Sequence, residues 1–475
     1  MSRVRYVCLS DLHLGEEDSL LTNLKAGRSE HDPSSPSPVL EKLCECLRTL
    51  APADGGPRPT LILAGDILEL ALATMDEAAM CFERFVELAM PAGGELFDRI
   101  VYVPGNHDHH VWEIARETQY VGHIDRKAPG DLLDRPWHTT RMFPGGSAPP
   151  VTGYFLGHLV HRYEHLESFD IEVAYPNLGL IHPKTRRCAV FHHGHFVERL
   201  YHLMSDLSSL LFPDRSPPSQ IWDVEAENFA WIDFFWSAMG RSGRVGPLVQ
   251  KVYNSLGHEG ARDRLVSSLA ASLADRYDLP GVGDWMEERI LGLMLKALSD
   301  WIASRERSDT SGAALTEEGE AGLAAYLEGP LRNQMLGELG GRAPSEVTFV
   351  FGHTHRPFEG VRAPGGFPGE VAVYNTGGWV VETPDPEPVH GASAVLLDED
   401  LDAVALRLYD ETYDPSGTPV RVARARPSDG SPSPLAEEVG RVLDESRPAW
   451  DGLSRAIAEA VRVRAGHLRR RLEAS

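Results

Sequence analysis

The chain has 475 residues, enough to bury a large core and to hold two or three domains. Hydrophobic residues make up 42% and charged residues 24%, an ordinary globular balance, while the formal net charge is -24. That charge argues against broad electrostatic capture of nucleic acid or of an anionic membrane surface. The cysteines, Cys8, Cys44, Cys46, Cys81 and Cys188, are odd in number and form no CxxC. A disulfide framework is therefore not expected, and a reducing, cytoplasmic home is. Cys44 and Cys46 fall in the amphipathic run VLEKLCECLRTL, which reads as a helix rather than a metal pair. The opening MSRVRYVCLSDLHLG runs at once into a strand and a motif, so no signal peptide is expected. No run of about 18 apolar residues occurs, so no transmembrane helix is expected either.

In chain order, Val4–Leu9 reads as a strand, Val39–Leu50 as a helix, Thr60–Ala64 as a strand, Met75–Met90 as a helix and Arg99–Val103 as a strand. This β-α-β-α-β order predicts mainly parallel strands covered by helices. From His109 to Asp170 the pattern is mixed. Asp170–Tyr175 and Arg187–Phe191 read as strands joined by a turn-rich stretch with Asn177, Gly179 and Pro183. From Phe196 to about Pro344 helical patterns dominate, broken by FPDRSPPSQ, GRSGRVG and SDTSGA. Strands resume at Val347–Phe351, Val371–Tyr374, Ala394–Leu397 and Ala403–Leu408. Thr412–Pro434 is rich in Pro, Ser, Gly and Arg and reads as a linker; Leu435–Leu472 reads as a final helix, interrupted near Pro448. The expected organisation is a core in two parts, 1–195 and 346–411, a helical insertion at 196–345, and a linker with a C-terminal helix at 412–475.

Five motifs each follow an apolar strand: Asp11-Leu-His13, Gly65-Asp66, Gly105-Asn106-His107-Asp108, His192-His193-Gly194-His195 and Gly352-His353-Thr354-His355. Strand ends of open α/β sheets are where ligands usually bind. Carboxylate, imidazole and amide-oxygen groups match divalent transition metals such as Mn, Fe, Zn, Co or Ni, and the missing thiolate argues against a structural zinc site. Asp66 is a natural bridge between two ions, because its two oxygens can bind one each. Neighbouring glycines let the backbone turn sharply beside the site.

The order DxH, GDxxE, GNHD, a His before Gly, then GHTH resembles the calcineurin-like metallophosphoesterase superfamily. The resemblance covers the core strands and not the insertion or the C-terminal helix. It implies an α/β/β/α sandwich and two divalent ions, Mn foremost. One would be held by Asp11, His13, Asp66 and His355, the other by Asp66, Asn106, His193 and His353. His107 matches the family's catalytic histidine, and Glu69 the acidic residue that orients it. Asp108 either plays a similar part or caps a helix. His192 and His195 support a ligand or touch substrate, and Arg356 contacts a phosphate or forms a salt bridge. The implied reaction is phosphate-ester hydrolysis, with a hydroxide shared by the metals as nucleophile.

Protein phosphatases of the superfamily carry Arg after GDxxD and Glu after GNH; here those positions are Leu70 and Asp108. The opening and GHTHRP are similar to bacterial enzymes that cleave the pyrophosphate of UDP-diacylglucosamine, although those are shorter and carry Arg at the place of His107. A phosphodiesterase or pyrophosphatase acting on a small-molecule or lipid-linked substrate is therefore expected. A phosphomonoesterase or phosphoprotein phosphatase, and a non-catalytic binding protein on the same fold, are the alternatives. The aromatic run Phe229, Trp231, Ile232, Phe234, Phe235 and Trp236 reads as core or as a lid over the metals. Arg469, Arg470 and Arg471 suit the dipole of a helix end, or meet a partner or an anionic surface.

Overall fold

Short β-branched runs form the strands, and amphipathic runs form the helices that cover them. The computed structural model describes residues 3–51, 55–144, 150–212, 214, 216–233, 237, 313–425 and 433–474. Phe234, Phe235 and Trp236, the expected break at 240–246, nearly all of that at 308–313, and 426–432 of the expected linker lie outside the described residues.

The strands in chain order are β1 (Tyr6–Leu9), β2 (Thr60–Leu63), β3 (Arg99–Tyr102), β4 (Val151–Thr152), β5 (Ile171–Val173), β6 (Asn177–Ile181) and β7 (Arg187–His192). They continue with β8 (Glu346–Phe351), β9 (Phe358–Arg362), β10 (Val371–Asn375), β11 (Gly391–Leu397), β12 (Ala403–Asp410) and β13 (Arg421–Ala423). The helices are α1 (Pro38–Thr49), α2 (Met75–Ala89), α3 (His109–Ile124), α4 (Tyr154–Val160), α5 (Leu203–Leu211) and α6 (Ile221–Ile232). After the undescribed stretch come α7 (Glu317–Tyr326), α8 (Arg332–Glu338), α9 (Pro434–Glu445) and α10 (Arg447–Ala474).

Two mixed sheets result, one in the order β13-β12-β11-β1-β2-β3-β5-β4, the other β6-β7-β8-β10-β9. The central strands β1, β2, β3 and β5 run parallel, as the alternating pattern predicted, and β11 joins β1 antiparallel. The sheets meet through an apolar cluster to which Cys8, Ile62 and Val101 contribute from the first and Ala189, Phe191 and Val350 from the second. A second cluster joins the first sheet's outer face to α1, α2, α3, α9 and α10. A third joins the second sheet's outer face to α6, α7 and α8 through Val224, Leu323, Tyr326 and Met335. Helices, sheet, sheet and helices thus stack in turn, and the described parts of 196–345 supply the outer helical layer of the second sheet.

Several stretches depart from the sequence reading, among them β4 and β9, which it did not expect. Asn177–Ile181, expected as a turn, is a strand paired antiparallel with β7. Its Gly179 lies where a Cβ would meet Phe143 Cε1 at 2.6 Å, so the missing side chain allows close packing rather than a turn. The expected linker holds β13, which completes the edge of the first sheet beside β12. The C-terminal segment is two helices, α9 and the 28-residue α10, parted at Ser446, close to the interruption expected near Pro448. Along α10, Trp450, Leu453, Ile457 and Val461 recur at helical spacing and face the core. Its end is tied down: Arg464 donates to the Ser19 and Thr22 carbonyls, Arg469 meets Asp385, and Arg471 pairs with Asp18. All five cysteines are free and buried. No helix among the described residues is long and apolar enough to cross a membrane.

Candidate metal centre

Each of the five motifs begins where a strand stops, and their loops brace one another. The amides of Asp11, His13 and Leu14 donate to the carbonyls of Gly65, Asp66 and Ile67, at 2.8–2.9 Å. The His353 amide donates to Asp11 Oδ1 at 2.9 Å, and the His107 amide to Asp66 Oδ1 at 2.8 Å. These bonds force an uncommon backbone. Asp11, His13, Asp66, His353 and His355 all have positive φ, between 44° and 71°. A side chain held in that region costs on the order of 1–3 kcal/mol and persists only where its surroundings impose it. The glycines are needed for contact. A Cβ on Gly65 would strike His193, one on Gly105 would strike Asp66, and one on Gly352 would strike Asp11.

The side chains converge in two groups that meet at Asp66. On one side, Asp11, His13 and His355 bring their donor atoms within 4.8 Å of one another. His355 Nε2 lies 3.2 Å from His13 Nε2 and 3.4 Å from Asp11 Oδ1. On the other, His193 Nε2 lies 3.0 Å from Asn106 Oδ1, 3.1 Å from His353 Nδ1 and 3.1 Å from Asp66 Oδ2. Asp66 Oδ2 is also 3.7 Å from His13 Nε2. Ligands about 2.1 Å from one ion are about 3.0 Å apart in an octahedron and about 3.4 Å apart in a tetrahedron. The observed separations match the edges of such polyhedra. Two imidazole nitrogens this close repel unless a proton or a cation lies between them. The donor set, oxygen and nitrogen without sulfur, suits a divalent transition metal.

The charges agree. Burial pushes the Asp66 carboxyl up, but His193, His107 and His13 hold it well below the usual range. Burial and His193 oppose each other at Asp11 in the same way, and its carboxyl also ends low. Burial pulls the His193 imidazole down, yet Asp66 and Asp11 raise it to about 9. The buried carboxylates thus demand positive charge between them, which protons or a divalent ion can meet.

Glu69 is fully buried, and burial is overcome by His107 and His13, which bring it down to about 2. It reaches both: His13 Nδ1 at 2.8 Å and His107 Nδ1 at 2.8 Å. One carboxylate therefore fixes the ring orientation of a candidate ligand and of the candidate proton donor. Asp108, at the start of α3, makes no capping bond there. Instead it accepts from the Gly105 and Ile67 amides at 2.6 and 2.7 Å and from the Tyr102 hydroxyl, locking the second and third motif loops together.

His195 is buried and turned away from these donors. It stacks on Tyr175 and on His192, with Nε2 3.3 Å from the Tyr175 hydroxyl. Burial holds both His195 and His192 well below the usual imidazole range. Arg356 is also fully buried and donates to the Ala313 carbonyl at 3.0 Å. Two carboxylates escaped the sequence reading. Glu382 Oε1 lies 2.7 Å from His355 Nδ1, and Glu198 Oε1 lies 3.3 Å from His353 Nε2. Neither belongs to a motif; only the fold brings them beside an imidazole. Such carboxylates orient a ligating ring and raise its basicity.

No protein-family model matches the sequence, and no curated protein does. Among solved structures the chain is similar to phosphopantetheinyl hydrolase (PptH) from Mycobacterium tuberculosis. The identity is 14%, over 79% of this chain and 90% of that one, with a TM-score of 0.24. A superposition that loose carries no weight for fold or activity.

Proposed function

We propose that the chain is a calcineurin-like, dinuclear-metal phosphoesterase, acting on a diester or pyrophosphate of a small or lipid-linked molecule. The observation that carries the reading is Asp66, whose Oδ2 has His193 Nε2 at 3.1 Å and His13 Nε2 at 3.7 Å, with the remaining donors gathered on either side. Asp11, His13, Asp66 and His355 would hold one ion, and Asp66, Asn106, His193 and His353 the other, with manganese the first candidate. Two such ions would supply neutralising charge for the phosphoryl oxygens and would make a bound water more acidic.

The chain's own groups do the rest. Asp66 keeps its charge at neutral pH because three imidazoles surround it. Glu69, ionised for the same reason, accepts from His107 Nδ1 and so makes the ring act through Nε2. From there it hydrogen-bonds a phosphoryl oxygen or passes a proton to the leaving ester oxygen. The body at 196–345 would shape the substrate site, and the five free, buried cysteines support a reducing cytoplasmic home.

Turnover of bis-p-nitrophenyl phosphate after loading with Mn, Co, Ni or Zn tests the reaction; silence with all four metals would overturn it. Asp66→Asn should lower kcat by at least roughly 10²–10³-fold, the scale for losing a preorganised charge, with an unchanged circular dichroism spectrum. Full activity in that variant would overturn the two-ion assignment.

A further inference from the structure

Immediately after the third motif the chain enters α3 with two consecutive histidines. His110 and Glu113 lie three residues apart on that helix, so they share a face. His110 Nδ1 is 2.9 Å from Glu113 Oε2. Asp233, just past α6, brings Oδ1 to 3.6 Å from the same His110 nitrogen. The three donor atoms lie within 4.8 Å of one another and share no residue with the Asp66 cluster. His109 stands beside this group, next to Asp233. His109 is fully buried, and its Nδ1 has no hydrogen-bond partner, Asp233 Oδ1 being 3.6 Å away.

The setting is that of a built ligand shell. His109 Nε2 lies 2.9 Å from the buried Glu225, whose other oxygen accepts from Tyr175 at 2.9 Å. That contact fixes the ring and turns Nδ1 toward Asp233, so the imidazole borders the carboxylate that completes the group. The Ser237 hydroxyl accepts from the His110 amide at 3.1 Å and lies 3.4 Å from Asp233 Oδ1, holding the carboxylate in place. The His110–Glu113 and His110–Asp233 separations, 2.9 and 3.6 Å, match edges of a tetrahedral site with bonds of about 2.0–2.2 Å.

We propose that His110, Glu113 and Asp233 bind a further divalent ion of the zinc class, which ties α6 to α3 behind the catalytic loop. The ion neutralises the two carboxylates that converge on the His110 imidazole. It stands outside the reaction and fixes the helical body against the core.

Metal content decides it. The full chain is stripped with a chelator, reloaded with excess zinc, freed of unbound metal by gel filtration and analysed by plasma mass spectrometry. The wild type should carry about one equivalent more than His110→Ala or Asp233→Asn. Cobalt-loaded Asp66→Asn should keep a visible d–d band that the Asp66→Asn, His110→Ala double variant lacks. If folded His110→Ala binds as much zinc as the wild type, the proposal is overturned. Should His110→Ala fail to fold, Glu113→Gln at a partly exposed position is read the same way. Loss of metal on Asp66→Asn alone would overturn this site and leave the phosphoesterase reading intact; loss on His110→Ala alone would do the reverse.

Discussion

The strand-end loops around Asp66 and the seam between α3 and α6 are both buried, polar and rich in histidine, yet they are built differently. In the loops, five ligand-type residues take positive φ, and carboxylates and imidazoles crowd to about 3 Å. The backbone is strained to bring donors together. In the seam, His109 and Glu225 extend from ordinary helices and meet among apolar neighbours, with Phe229 packed against the His109 ring and under the Arg116 guanidinium. Strain maintained at one place and relaxed geometry at the other teach a division of labour. The loops spend stability to assemble charge, and the seam holds two layers of the fold together.

That division breaks if a loop side chain proves to be structural. His107 is the sharpest case, since the proposed role has it act on the reacting group. His107→Ala should lower kcat by roughly 10²–10⁴-fold, the usual contribution of a positioned acid or base. Glu69 keeps its contact with His13 in that variant, so the melting temperature and metal content should change little. A fall in kcat below that range together with a large drop in melting temperature would place His107 with the structural residues.

The seam makes the opposite demand. Glu225→Ala removes the acceptor of His109 Nε2, leaving that buried donor without a partner, and leaves the Tyr175 hydroxyl only its longer contact with His195. Breaking a buried pair on one side costs about 3–5 kcal/mol. Thermal or denaturant unfolding should show that loss, while kcat per folded molecule stays within a few-fold of the wild type. Unchanged stability would remove the seam's part in the contrast.

The two regions also differ in how far they can be read from the chain. The loops were legible because each motif is local: glycine and ligand are adjacent, and an apolar β-branched run precedes them. The same runs foretold β1, β2, β3 and the parallel order. β6 was misread because Asn177 and Gly179 carry turn chemistry, whereas Gly179 serves a close approach of Phe143 and Met142. β13 is three residues long in a Pro- and Ser-rich stretch, too short for a period to show. Asp108, read either as a support for His107 or as a helix cap, locks two loops. Glu225, Glu198 and Glu382 had no signal at all, since a lone glutamate in a helix or loop is ordinarily a solvated charge. Their meaning comes only from pairing with histidines far away in sequence.

Glu382 gives the mildest and most discriminating expectation. It lies 2.7 Å from His355 Nδ1, on the side of the ring away from Asp11 and His13. Its side chain is partly exposed, so removing its charge leaves little buried debt, and the stability of the metal-free chain should hardly move. The effect should instead pass through the ring. An imidazole whose other nitrogen donates to a carboxylate is a better ligand, and losing such a partner weakens metal binding by roughly 10–100-fold. Glu382→Gln should therefore need 10–100-fold more metal for half-maximal turnover, by that same estimate, and recover near-normal kcat when metal saturates. If kcat remains depressed at saturating metal, Glu382 touches the reaction itself, and the charge assembled by the loops extends one residue further than their motifs.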